Sequence, residues 1–239
     1  MLNQIRSKRL KIFVKLRTKN KVIKIKIAIL ANGVWDLEWG KQALKEVDFL
    51  ICADGGANYA ALSSRIPDLV IGDLDSILPE NLSQCEKSGC LIERYPCEKD
   101  ETDLELALLR AEEKARMLGE RDIWLYGATG KRIDHFLGNV ALMLDYAQKG
   151  YRIRVVDPKH ELWIVQGREE IRGSSGQELS LISLSEKSVV STEGLYYPLQ
   201  KGILFQNRPR GISNVFLGEK AVVEAHEGWV MAVVLRSRA

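Results

Sequence analysis

At 239 residues and 46% hydrophobic content, the chain is long enough for one large domain or two small ones with a sizeable core. No apolar run approaches the roughly 18 residues of a membrane span, and the N-terminus has no uninterrupted apolar segment of the signal-peptide kind, so a soluble, cytoplasmic protein without membrane attachment is expected. The net charge of +3 conceals an asymmetry: residues 1–26 carry ten Lys or Arg and no acid, which leaves 25 basic against 32 acidic residues for the remainder.

The basic arm alternates polar and apolar residues (Lys11, Ile12, Phe13, Val14, Lys15, Leu16) and has few of the aromatics that stack on bases, so nucleic-acid binding is not expected. Three readings of it stay open: a strand-like extension, a solvated arm, or a translation start placed too early. Cys52, Cys85, Cys90 and Cys97 form no C-x-x-C pair and His135, His160 and His226 are scattered, which argues against structural zinc and for reduced, mostly buried thiols.

Past the arm, residues 22–30 alternate like a strand and end in Ala31-Asn32-Gly33, a turn signal; 37–47 then reads as a helix. Residues 49–53 form a short apolar run followed directly by Asp54-Gly55-Gly56, whose paired glycines permit close backbone approach to a ligand, and then by the small residues of a second helix. A third strand, 69–71, leads into IGDLDSI at 71–77. Pro79 starts another helix, 91–95 is a fourth strand, and KDETD follows at 99–103.

From Asp103 the apolar positions Leu104, Leu108, Ala111, Ala115 and Leu118 lie four, three, four and three apart, one stripe of an amphipathic helix that Gly119 ends. Residues 122–126 make a fifth strand. GATGKR at 127–132 is a polar turn before a helix whose predicted stripe is Ile133, Phe136, Leu137, Val140, Ala141 and Leu144, and 152–156 is a sixth strand. Strands alternating with helices predict an α/β domain with a doubly covered, largely parallel sheet. After Pro158 the runs 179–184, 202–205, 212–217, 221–225 and 229–235 are separated by Gly, Ser, Asn and Pro with no helical period. They predict a small antiparallel sandwich or barrel, with a boundary near 158–176.

The chemistry lies in the loops. Mg²⁺ prefers hard oxygen ligands and is commonly held by one or two carboxylates together with substrate phosphates, a demand that Asp73 and Asp75 fit after a buried strand. An isolated D-x-D is more often an Asx-type turn with solvated acids, and Asp100 and Asp103 can equally cap a helix and complement its dipole. GATGKR has Lys131 and Arg132 beside a helix N-terminus, where backbone N–H groups favour anions, with Asp134 in the first turn. It is not a Walker A motif, since two residues separate its glycines and Arg132 follows the lysine; nor does a G-x-G-x-x-G follow the first strand.

Together and in order, ADGGAN, IGDLDSI, KDETD and GATGKRIDH resemble the motifs of the thiamine pyrophosphokinase family, from about residue 24 to the C-terminus. The run Gly211-Ile212-Ser213-Asn214 looks like that family's G-x-S-N element, and Gly228 and Trp229 lie where its final strand begins. The resemblance implies an ATP:thiamine diphosphotransferase that uses Mg²⁺ and works as a homodimer. Its regions would be a basic extension (1–23), an α/β domain for ATP and Mg²⁺ (24–158) and a C-terminal β-sandwich for thiamine and dimerisation (159–239). By the same resemblance Asp73, Asp75, Asp100 and Asp103 would bind Mg²⁺ directly or through water, and Lys131 and Arg132 would approach ATP phosphate. Asp54, Thr102 and Asp134 would line the site, Gly55, Gly127, Thr129 and Gly130 would lie against the nucleotide, and Ser213 and Trp229 would face thiamine. Two other classes remain: a Mg²⁺-dependent nucleotide pyrophosphohydrolase or sugar-nucleotide transferase, and a non-catalytic nucleotide or thiamine sensor.

Overall fold

Short strands with both faces apolar need cover on both sides, and that sets the architecture of the first half. The computed structural model describes residues 24–236; the arm 1–23, with its three readings, lies outside the described residues. Strands β1 (Ile27–Leu30), β2 (Phe49–Ala53), β3 (Leu69–Gly72), β4 (Leu91–Arg94), β5 (Asp122–Tyr126) and β6 (Arg152–Val156) run parallel in the order β6-β5-β1-β2-β3-β4. In β1 every residue is fully buried, and alternation divides it: Ile27 and Ile29 enter one core, Ala28 and Leu30 the other.

Helices α1 (Leu37–Lys45), α2 (Gly56–Leu62) and α3 (Pro79–Lys87) supply Leu44, Ala57, Ala60 and Cys85 to the second core. The longer α4 (Asp103–Leu118) and α5 (Ile133–Gln148) cover the opposite face. In α4 the predicted stripe is the buried one, Leu118 being half-buried at its end. Its N-cap is Thr102, whose hydroxyl accepts from the Glu105 N–H at 3.2 Å; Gly119, at φ 74°, closes the other end with Glu120 N–H on Ala115 C=O at 2.9 Å. Asp100 is therefore not the cap.

For α5 the predicted stripe needs correction. Met143, Tyr146 and Ala147 are the buried residues and Phe136, Val140 and Leu144 pack partly against the core, but Ile133 and Leu137 are 80% and 62% exposed and Ala141 is exposed too. The first half of this helix borders a cleft, which Gly138, Asn139, Ala141 and Leu142 line, so only its second half has a core to fill.

The chain then turns back. β7 (His160–Val165) pairs antiparallel with β6, and the same sheet continues through β14 (Val230–Leu235), β9 (Glu178–Ser183) and β12 (Asn214–Val215), giving ten strands in all. A second antiparallel sheet, in the order β11-β10-β13-β8, comprises β8 (Arg168–Arg172), β10 (Lys187–Glu193), β11 (Gly202–Phe205) and β13 (Lys220–Glu227). Trp163, Leu179, Val190, Phe216, Val223 and Ala232 fill the space between the two sheets, which makes this half a sandwich. Three of its strands, β7, β8 and β10, were not among the predicted runs; the first two occupy the segment read as a boundary. Cys52, Cys85 and Cys90 are buried free thiols, and Cys97 is exposed.

Candidate active site

Between β1 and β5 the strand order reverses: β2 lies on one side of β1 and β5 on the other, so the connections leave in opposite directions and open a crevice at the carboxyl ends. A cleft of about 960 Å³ occupies that place. Its walls come from the loops after β1 (Asn32, Gly33), β2 (Asp54), β3 (Ser76), β4 (Lys99, Thr102, Asp103) and β5 (127–132), and from α5 (Asp134, Asn139).

One side is acidic. Carboxylate oxygens of Asp54, Asp73 and Asp103 lie within 4.8 Å of one another, and Asp73 is shared with a second group formed with Asp75 and Cys97. Gly72 makes the convergence possible: at φ +141° a side chain is strained, and a Cβ there would stand 3.0 Å from the Asp103 carboxyl carbon and 3.2 Å from Asp54 Cβ. Asp54 itself has φ 43° and is buried, and burial pushes its carboxyl above the usual range despite the Ser76 N–H donating to Oδ1 at 3.3 Å. Burial acts on Asp73 in the same sense but is outweighed by hydrogen bonds from the Asp75 N–H and Cys97 and by the charge of Lys99, which hold that carboxyl low. Asp75 is exposed and accepts from the Ser76 hydroxyl at 2.9 Å.

Asp103 Oδ1 is buried and receives no aligned hydrogen bond, although Lys99 Nζ lies 3.0 Å away as an ion contact. Three hard carboxylate donors within 4.8 Å of one another, with the Lys99 ammonium balancing only one of them, are the chemistry a Mg²⁺ ion satisfies, so the residues present fit one. Asp100 is exposed and lies outside both carboxylate groups and outside the cleft lining.

The facing side is the turn after β5. Gly127, Gly130 and Lys131 all have positive φ (62°, 72° and 51°), and the turn is tied down through its carbonyls: Gly33 N–H on Gly127 at 2.6 Å, Val34 N–H on Thr129 at 2.9 Å and Asn139 Nδ2 on Ala128 at 3.0 Å. A Cβ on Gly33 would come 2.2 Å from the Gly127 oxygen, and one on Gly55 would come 2.4 Å from Asn32 Nδ2, so Gly33 serves a close backbone contact and Gly55 a close approach of the Asn32 side chain. Lys131 Nζ donates to Asn32 C=O at 2.9 Å and to the Tyr59 hydroxyl at 2.8 Å; the Tyr59 ring stacks on Trp35 at 5.9 Å. Arg132 is exposed and paired with Asp134, whose carboxyl its guanidinium holds down at about 2. Thr129 donates its hydroxyl to Asp157 Oδ2 at 2.7 Å, so it offers a phosphate its backbone rather than its oxygen.

Ser213 and Trp229 do not line this cleft. Ser213 has φ 55°, is exposed, and its N–H donates to Ser180 Oγ at 3.0 Å. Trp229 is half-buried, packing against the core beneath α4 and α5, with its N–H on Ser185 Oγ at 2.9 Å. Next to Ser213, the buried Asn214 side chain accepts from the Tyr197 N–H and donates to its C=O, anchoring an exposed Tyr196–Tyr197 pair. Sequence reasoning passed over Asn32, Tyr59, Lys99, Asn139 and Asp157. Of these only Lys99, inside an acidic motif, carried a local signal.

Two family models match the chain: thiamin pyrophosphokinase, catalytic domain, over residues 40–155, and thiamin pyrophosphokinase, vitamin B1 binding domain, over 161–230. Thiamine pyrophosphokinase of Bacillus subtilis (strain 168) is 30% identical over 175 residues, 72% of this chain and 79% of that one. A crystal structure of thiamine pyrophosphokinase from Bacillus subtilis superposes with a TM-score of 0.77 at 26% identity, covering 89% of this chain and 100% of that chain. Thiamin pyrophosphokinase from Candida albicans reaches 0.76 at 17% identity over 90% of each chain, a likeness of fold alone. With both of its domain models matched in order and a relative at this identity, the chain belongs to the thiamin pyrophosphokinase family.

Proposed function

We propose that the protein transfers the pyrophosphoryl group of ATP to the hydroxyl of thiamine, giving thiamine diphosphate and AMP. The observation that carries the reading is one cleft at the strand reversal, lined by Asp54 and Asp103 on one side and the glycine turn of Lys131 and Arg132 on the other, with Asp73 grouped with the two acids just outside the lining. The thiamine oxygen attacks the β-phosphorus, the bond from that phosphorus to the α,β-bridging oxygen breaks, AMP departs with the bridging oxygen, and the hydroxyl proton passes to solvent. Positioning and charge stabilisation do most of the work in such a transfer. Mg²⁺, held by Asp73, Asp103 and neighbouring carboxylates, would neutralise polyphosphate charge and polarise the group in flight. The turn at 127–132 orients the polyphosphate through its backbone and Lys131, and Arg132 exchanges Asp134 for phosphate.

In this reading residues 24–158 bind ATP and Mg²⁺ and residues 159–239 bind thiamine, with Ser213 and Trp229 on the thiamine side. Since neither residue borders the cleft of its own chain, a homodimer that brings one chain's sandwich to the other's cleft accounts for their role, and the cytoplasm is the compartment that supplies ATP. Incubation with ATP, Mg²⁺ and thiamine, followed by analysis for AMP and thiamine diphosphate, tests the activity. Release of AMP without thiamine would favour a pyrophosphohydrolase, and binding without turnover a sensor. Sedimentation at assay concentration tests the dimer, which a fully active monomer would exclude.

A further inference from the structure

Asp157 stands just past β6, where the large sheet turns from parallel to antiparallel, and its side chain is only 9% exposed. Its carboxylate is well satisfied: Oδ1 takes the N–H groups of Lys159 and His160, each at 2.7 Å, Oδ2 takes the Thr129 hydroxyl at 2.7 Å, and His160 Nδ1 lies 3.2 Å from Oδ1 and 3.3 Å from Oδ2. A buried carboxylate repels a polyphosphate, so it is not a phosphate ligand itself. What it holds is the middle of a turn in which Gly127 and Gly130 take positive φ freely and Lys131 takes it at a cost, so the Lys131 conformation persists only where its surroundings over-determine it. The turn's other ties reach the loop after β1, Tyr59 and α5; Thr129 is its tie to the segment between β6 and β7.

We propose that Asp157 is a positioning residue for ATP, fixing the turn 127–132 through the Thr129 hydroxyl so that the turn's backbone and Lys131 meet the polyphosphate in one geometry. The inference rests on the ATP:thiamine reading above and extends it to a residue outside all four sequence motifs. It also gives the Thr129 hydroxyl a structural partner, Asp157, while Thr129 itself stays in the cleft lining.

The test is steady-state kinetics on the full chain, with ATP and thiamine varied separately, for Asp157→Asn, Thr129→Val, the double variant and Thr129→Ser. Asp157→Asn and Thr129→Val should each raise KM for ATP about tenfold, the scale of one hydrogen bond to a charged group, and that for thiamine by less than about twofold. The double variant should be no worse than the poorer single one, because both remove one coupled contact, and Thr129→Ser should keep the parental KM. A parallel rise in both KM values, or effects of the two substitutions that multiply, would overturn the proposal by reducing Asp157 to an ordinary turn cap. Should Asp157→Asn fail to fold, the comparison of Thr129→Val with Thr129→Ser decides the matter alone: a rise in KM for ATP with valine but not with serine supports the role, and equal values overturn it. If the parent chain forms no AMP from ATP and thiamine, the ATP:thiamine reading falls and takes this one with it; if it does and KM for ATP is unmoved in the variants, only the positioning role falls.

Discussion

Lys99 and Asp103 face each other four residues apart across the entry to α4, with Nζ 3.0 Å from an Oδ1 that has no aligned hydrogen bond. The ammonium balances a carboxylate whose geometry suits a metal ion. Asp103→Asn and Asp73→Asn should therefore each lower kcat by about a hundredfold or more, the scale of losing a preorganised electrostatic contact in phosphoryl transfer, while circular dichroism stays unchanged. Near-parental turnover of both variants at limiting Mg²⁺ would dismiss the metal role.

Gly72→Ala should combine a folding defect with a site defect. At φ +141° the new Cβ is strained, at a cost of about 1–3 kcal/mol, and it presses on Asp103 and Asp54 at 3.0 and 3.2 Å. Urea denaturation measures the first part and a raised Mg²⁺ requirement the second. A variant with parental stability and parental Mg²⁺ dependence would contradict both.

The pH dependence of stability should carry Asp157's signature. Burial raises its carboxyl, but the Thr129 hydroxyl, the Lys159 and His160 N–H groups and the His160 ring together hold it below the usual range. A folded-state pKa below the unfolded value means stability that is present above the unfolded pKa of about 3.9 and lost as pH falls through the depressed value. Asp157→Asn should thus be less stable than the parent by about 1–3 kcal/mol at neutral pH, with the gap closing under acid. A gap constant from pH 7 to the acid limit would refute the assignment.

Arg132→Ala should raise KM for ATP about tenfold through loss of a charge-assisted phosphate contact and leave the melting temperature unchanged. Its pair with Asp134 is on the surface, with both side chains about two-thirds exposed, so its loss removes little from the fold. A fall in melting temperature with unchanged KM would reassign the arginine to structure.

Ser213→Ala and Trp229→Phe should raise KM for thiamine well before KM for ATP, since a flat, partly cationic ligand needs an aromatic wall and a few hydrogen-bonding groups. Trp229 also packs against the core, so Phe keeps the ring while removing the indole edge. Equal changes for both substrates would undo the thiamine assignment and leave the metal site intact.

Parallel strands such as IAIL and FLICA are apolar on both faces, so β1, β2 and β3 stand out as continuous runs while β4 (LIER) and β6 (RIRVV) are mixed, and α4 declares itself through its stripe with Thr102 and Gly119 at its ends. The sandwich was harder to read strand by strand. β8, with sequence REEIR, buries only Ile171 and engages Arg168, Glu169 and Glu170 in ion pairs, while β7 follows a proline so closely that it merges with the connection. In α5 the predicted stripe is buried only in part: Ile133, Leu137 and Ala141 are exposed because the first turns border a cleft where no core waits. The same split runs through the site. Acidic pairs in loops can be seen in a linear sequence, whereas Asp157 works through Thr129, 28 residues earlier, and through backbone N–H groups that no pattern of residue types records.

The ten-stranded sheet has a mechanical consequence. Val155 pairs with Leu162 and Val156 with Glu161, so the ladder that joins the two halves belongs to the same hydrogen-bonded surface that carries β1 and β5. A hinge between the halves would have to break that ladder and part the shared core of Val155, Leu162, Ile164 and Met231. The molecule therefore behaves as one beam rather than two jaws. Enclosure of substrates falls to the loops that follow β3, β4 and β5, which line the open side of the cleft.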